Sequence, residues 1–150
     1  MPKIILIVVV VFIIYILYKT LFLPKFQSIN VDIKGQSFSL EIARTLSQIT
    51  RGLGGRSSLC PNCGMIFVFK SPQILSFWMK NTLIPLDIIF LDSAGKIINF
   101  STASPESNIS DSKLKIYQSS SPASFALELP AGTAQILNFV PGDQINLYVL

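Results

Sequence analysis

The sequence predicts a mainly β domain, a β-sandwich or barrel-like fold with one short helix, preceded by one N-terminal transmembrane helix. Three observations predict this class. An unbroken apolar run fills residues 4–18, apolar and polar residues alternate with period two on both sides of Gly35, and short apolar segments then recur about every ten residues between turn signals. Long helical crossovers are missing, which argues against a doubly wound α/β sheet.

The apolar run comes first. Leu21, Phe22 and Leu23 extend it past Lys19. As a helix, residues 4–23 would span roughly 30 Å at about 1.5 Å per residue, the thickness of a bilayer core. A secretory signal peptide ends in small residues, whereas Tyr18, Lys19, Thr20, Leu21 and Phe22 occupy this flank. Residues 1–25 are therefore expected to be an uncleaved anchor, with Lys19 placed to reach the headgroups. Lys3 on one side and Lys19 and Lys25 on the other give no orientation by charge.

Residues 26–150 suffice for one compact domain. Ile29, Val31 and Ile33, then Phe38, Leu40 and Ile42, predict a hairpin about Gly35. The period changes next. Ala43, Leu46, Ile49 and Leu53 lie three or four apart, Thr45 and Gln48 fit a capping box, and Gly52 suits a helix end. Further strands are expected at Met65–Phe69, Ile74–Met79, Asp87–Leu91, Lys96–Thr102, Leu114–Tyr117, Ser124–Leu129 and Gln144–Val149. Ser71-Pro72, Ser93-Ala94-Gly95, Pro130-Ala131-Gly132 and Pro141-Gly142-Asp143 supply turns between them.

Composition removes several classes of function. The formal charge is +4, but of the twelve basic residues Lys3, Lys19 and Lys25 flank the apolar run, leaving nine against eight acidic ones. No basic stripe points to nucleic acid. There is no histidine, so every Ser-His or Cys-His nucleophile pair is excluded. No cofactor is expected.

Three segments carry candidate chemistry. Phe77-Trp78-Met79-Lys80-Asn81-Thr82, leading to Asp87, has two readings. Trp78 fills the core while Asn81 and Thr82 satisfy turn amides, or Lys80, Asn81 and Asp87 converge at the mouth of a pocket floored by Trp78. Asp87 stands among apolar neighbours and needs a partner, Lys80 or an arginine. Arg51-Gly52-Leu53-Gly54-Gly55-Arg56 lacks the Lys-Ser/Thr of a phosphate loop. It reads as a flexible connection, or as an anion site of Arg51 and Arg56 with Glu128 as a partner for one of these bases. Cys60-Pro61-Asn62-Cys63 has the spacing of thiol redox sites but not their strand–helix context. A local disulfide is the plain alternative. Zinc wants four ligands, and two thiols without imidazole would need a dimer or carboxylates to complete the set, so no metal is expected.

Taken in order, Glu41-Ile42-Ala43, Arg51-Gly52-Leu53, Arg56, Gly64-Met65-Ile66-Phe67-Val68-Phe69, Phe77-Trp78-Met79-Lys80-Asn81-Thr82, Ile84-Pro85-Leu86-Asp87, Leu127-Glu128-Leu129-Pro130-Ala131-Gly132 and Gly142-Asp143 resemble the family called domain of unknown function 192. The resemblance runs from about residue 30 to the end. It implies a single β-rich, sandwich-like domain, often carried outside the cytoplasm behind a signal peptide or anchor. It implies no activity and supplies no catalytic residues. Gly54 and Gly55 stand where the family pattern has a Met, and the cysteine pair falls in a variable stretch.

The expected protein is thus a single-pass membrane protein with an extracytoplasmic binding or accessory domain. Its expected partners are the membrane, through residues 4–23, and a small polar or anionic ligand or an envelope protein, but not nucleic acid. Arg51, Arg56, Trp78, Lys80, Asn81, Asp87 and Glu128 are the ligand-binding candidates. The rivals are a thiol–disulfide oxidoreductase using Cys60 and Cys63, a hydrolase using two of Glu41, Asp87 and Glu128, and a structural envelope protein.

Overall fold

The computed structural model describes residues 2–22, 25–106 and 109–147. Helix α1 runs over Pro2–Phe22. Its side chains are described from Ile4 to Tyr18, and all are exposed, from 43% at Ile16 to 68% at Ile4. Among the described residues no helix is long and apolar enough to cross a membrane. Leu23, where the expected span ends, lies outside the described residues.

The rest of the chain is built on one six-stranded sheet. Strands β1 (Gln27–Ile33) and β2 (Gln36–Ala43) form the expected hairpin, pairing Val31 with Phe38. Lys34 and Gly35 both take positive φ, 53° and 82°, as two-residue turns between twisted strands require. Asp32 closes the turn by accepting from the Gly35 amide at 3.0 Å. Helix α2 (Leu46–Arg51) carries the predicted capping box, and the Gly52 amide donates to Gln48 at its end. The predicted buried face is absent. Ala43 belongs to β2, Leu53 lies past the helix, and Leu46 is 82% exposed, because six residues make too few turns for a stripe.

Strand β3 (Cys63–Gln73) is longer than expected and pairs with β2 in parallel. A parallel neighbour cannot be reached through a hairpin. Residues 44–62, with α2, therefore cross over one face of the sheet, a crossover the sequence reading did not contain. Strand β4 (Ser76–Phe77) and β7 (Tyr117–Gln118) make a two-stranded sheet of their own. Strands β5 (Leu86–Leu91) and β6 (Ile97–Ala103) form a hairpin, and β8 (Ala123–Pro130) lies between β3 and β5. The sheet order is β1-β2-β3-β8-β5-β6.

Two departures concern the C-terminal part. A four-residue helix, α3 (Thr133–Ile136), follows Gly132 and was not predicted. The strand expected over Gln144–Val149 does not form within the described residues, and residues 148–150 lie outside them. Only Gln144 bridges to Lys96, since the Ile97 amide, the Gly95 carbonyl and the Ile97 carbonyl are engaged by Asp143, Ile145 and Gly142. The chain thus crosses the end of the β5–β6 hairpin instead of running along it.

Both faces of the sheet are covered. On one face Phe38, Leu40, Ile89 and Leu127 pack under Ala134 and Phe139. On the other, Met65, Phe67, Ile88 and Phe90 pack under Leu53, Leu75 and Met79. Phe38, Phe67 and Phe90 are fully buried, each contributing about 1.5–3 kcal/mol of transfer free energy. Burial on both faces explains why β5, apolar at five of its six positions, shows no alternation.

Candidate functional site

The second face carries the site. The ladder aligns Glu41 of β2, Met65 of β3, Glu128 of β8 and Ile88 of β5 in one row across the sheet. Above Glu128, the crossover and the β4 segment leave a cavity of about 350 Å³. Phe67, Phe69, Phe77 and Trp78 supply its aromatic wall, Ile49 and Leu53 its apolar lining from the crossover, and Arg51 and Lys80 its charged rim. Phe77 stands edge-on to Phe67, with ring centres 4.9 Å apart, which fixes β4 over β3. Gly52 lies against Phe67, where an added Cβ would come 3.4 Å from the ring, and its φ of 47° also favours glycine.

Glu128 is 6% exposed and forms part of the cavity lining. Among the described residues no hydrogen bond reaches its carboxyl group. Every fully enclosed polar side-chain atom described has a partner. The Glu128 carboxyl is therefore the end left in contact with the cavity. Burial pushes its pKa up to about 8, and the charge of Arg56 opposes the shift. Near neutral pH the group is mainly a carboxylic acid, able to donate as well as accept.

Arg56 does not open into the cavity as an anion site. Both of its terminal nitrogens donate to Glu41, at 2.7 Å each, and this hydrogen-bonded partner raises the arginine pKa. Arg51 is exposed at the cavity rim, with no ion pair among the described residues. Lys80 shares the rim but pairs with Asp111 at 2.5 Å. Trp78, expected as a floor or a core residue, is 56% exposed and stands in the wall.

Asn81 and Asp87 do not line this cavity, although Asn81 borders an adjoining one with Arg51 and Lys80. Asn81 takes φ of 57°, and its carbonyl accepts from Gly55 at 2.8 Å, tying the crossover to the Trp78 loop. Asp87 is fully buried on the opposite face. There Thr102 donates to one carboxylate oxygen at 2.7 Å and the Ala134 amide to the other at 2.8 Å. The expected pairing of Asp87 with Lys80 or an arginine is replaced by these neutral donors. Period two explains the error, because Leu86 and Ile88 face the cavity side and Asp87 must face away.

The same geometry bears on the hydrolase rival. Asp87 cannot act with residues on the other face, and both oxygens of Glu41 are held by Arg56. Glu128 is the only carboxylate lining the cavity among the described residues. Cys60 and Cys63 form a disulfide within the crossover, and the Cys63 amide donates to the Cys60 carbonyl at 3.0 Å. Among the described residues no three His, Cys, Asp or Glu side chains gather as a metal site.

Sequence reasoning missed most of the wall. Phe67, Phe69 and Phe77 carried a signal, two aromatics at i and i+2 before a third near Trp78, but continuous apolar sequence hid which face they share.

A family model described as an uncharacterized ACR, domain of unknown function 192, matches residues 29–147. A crystal structure from Sinorhizobium meliloti, of a candidate transcription regulator, is 33% identical. It superposes with a TM-score of 0.68 over 82% of this chain and 93% of that one. A protein of unknown function from Novosphingobium aromaticivorans is 32% identical, with a TM-score of 0.68 over 81% of this chain and 84% of that one. No curated protein matches the chain.

Proposed function

Because this chain belongs to the domain of unknown function 192 family, which prescribes no activity, we propose from the cavity that it is a membrane-anchored binding module for a small polar or anionic ligand. One observation carries the proposal: the Glu128 carboxyl faces an aromatic-walled cavity without a hydrogen-bond partner among the described residues. A ligand that fills the cavity displaces water from this carboxyl and must itself offer a hydrogen bond, because burying the group unpaired would cost about 1–3 kcal/mol. The volume lies at the lower end of the roughly 300–1,000 Å³ of small-molecule sites. The uncompensated charge of Arg51 at the mouth favours anions.

Attachment through residues 4–23 belongs to the same reading. The exposed apolar side chains of α1 support it, and the disulfide fits an oxidising compartment outside the cytoplasm. The relative described as a transcription regulator does not change this, since the domain carries nine basic residues against eight acidic ones and no basic stripe.

Trp78 is the sole tryptophan and lines the cavity, so its fluorescence reports occupancy directly. The full chain in detergent micelles, titrated with a broad panel of organic acids, phosphates, sugars and amino acids, should show a saturable change with at least one class. A flat response across the panel, with the unfolding midpoint also unmoved, would refute the binding reading. Retention of the chain in membranes after alkaline carbonate washing is the expected result for the anchor, and release would refute it.

A further inference from the structure

We infer that the cavity binds a monocyclic sugar acid, a polyhydroxylated ring bearing one carboxylate or phosphate, with a ring hydroxyl on Glu128 and the acidic group on Arg51. This rests on the reading of the cavity as a ligand site and specifies what enters it.

The floor selects a hydroxyl. Glu128 faces the cavity as a group that both donates and accepts when protonated, and a hydroxyl returns both bonds. A purely aromatic acid would bury carbon against the carboxyl and leave it unpaired. A cationic end is disfavoured there, because the charge of Arg56 already acts on Glu128 and Arg51 and Lys80 stand at the mouth.

The wall selects a ring. Trp78 is 56% exposed and lines the cavity together with Phe67, Phe69 and Phe77. Such faces take the flat C–H side of a sugar, while Thr50, Gln73, Ser76 and Thr82 intersperse hydroxyl and amide groups for its remaining oxygens. The rim selects the acid. Arg51 has a guanidinium without an ion pair among the described residues, the geometry that grips carboxylate and phosphate in two bonds, whereas Lys80 is already matched by Asp111. About 350 Å³ accommodates one ring, not a chain of them.

The test uses the full chain in detergent micelles, read by Trp78 fluorescence and by calorimetry, with glucuronate, glucose 6-phosphate, glucose and benzoate as probes. Glucuronate and glucose 6-phosphate should bind about tenfold more tightly than glucose or benzoate, the ratio expected for one charge-assisted contact. Arg51→Ala, at an exposed position, should reduce glucuronate to the level of glucose. Glu128→Gln, which keeps a donor and an acceptor, should stay within about threefold of the parent, and Glu128→Ala should lose about tenfold or more. Benzoate binding as tightly as glucuronate would overturn the sugar-acid assignment and leave the binding module intact. Equal binding of glucose and glucuronate, or no effect of Arg51→Ala, would overturn the role of the rim and with it the inference. Silence from all four probes also overturns it, and only silence across the broad panel would remove the binding reading as well.

Discussion

Glu41 and Glu128 stand on the same face of the sheet, on either side of Met65 in a single row, and only Glu41 has a cation bonded to it. At strand spacings of about 4.8 Å their backbones lie roughly 10 Å apart. The two carboxyl groups thus share a surface and one arginine, but only for Glu128 does burial push the pKa up.

That difference gives a pH dependence. Glu128 has a pKa near 8 in the folded state, above the ordinary carboxylate range of an unfolded chain. Between those values the folded state holds a proton that the unfolded state has released, so stability falls as pH rises. Its contribution is complete below the unfolded pKa and is lost as pH rises to about 8. The linkage relation caps the loss at about 4–5 kcal/mol. Glu128→Gln should flatten this slope and leave the protein more stable than the parent at pH 9. Urea unfolding at a series of pH values measures both.

The Arg56–Glu41 pair is part-buried and doubly bonded, so Arg56→Ala should cost about 1–2 kcal/mol. The same substitution removes the positive charge that restrains Glu128 and leaves Glu41 unneutralised, moving the Glu128 pKa further up. In urea unfolding across pH, the stability of Arg56→Ala should go on declining past the point where the parent levels off. A double-mutant cycle with Glu41→Ala separates the pair's coupling from the effect on Glu128.

Asp87 gives the opposite kind of prediction. Asp87→Ala leaves the Thr102 hydroxyl and the Ala134 amide without their acceptor and opens a small void, at about 2–4 kcal/mol. Asp87→Asn should cost less. Neither should alter the ligand response of Trp78, because the side chain lies across the sheet. A fluorescence titration of Asp87→Asn that loses the response while folding is retained would contradict this placement.

Reduction of the Cys60–Cys63 disulfide should lower stability by at most about 2 kcal/mol, since it closes a loop of only four residues. Thermal unfolding with and without dithiothreitol checks this through a midpoint shift of a few degrees. An unchanged midpoint would mean that the Arg56–Glu41 pair, the Gly55–Asn81 bond and the bonds of Asn62 to Ser39 and Gln36 hold the crossover without it.

Local rules carried much of the fold. Alternation about Gly35 gave the first hairpin, and Thr45 with Gln48 gave the start of α2, because hydrogen bonds between near neighbours write themselves into short sequence. What stayed hidden depends on distant partners. The parallel pairing of β2 with β3 is not encoded in either strand, and Gln144 and Ile145 alternate like a strand yet meet only the end of one. At the site, Arg51, Arg56, Lys80 and Glu128 were legible as charged residues in apolar or glycine-rich settings. Their division into rim, buried pair and floor was not, because it follows from which face each strand position takes.

The parallel β2–β3 pair has one further consequence. Joined as a hairpin, those strands would need two residues between them, and the Glu128 surface would lie open. The parallel arrangement obliges residues 44–62 to travel back across that surface, so the roof of the chamber is the connection itself. Because closing a longer loop costs little extra entropy, with each doubling adding about 0.6 kcal/mol, insertions between Gly54 and Cys60 could reshape what enters the chamber while the ladder beneath keeps its register. Recognition and architecture can therefore diverge independently in this scaffold, within a single covalent segment.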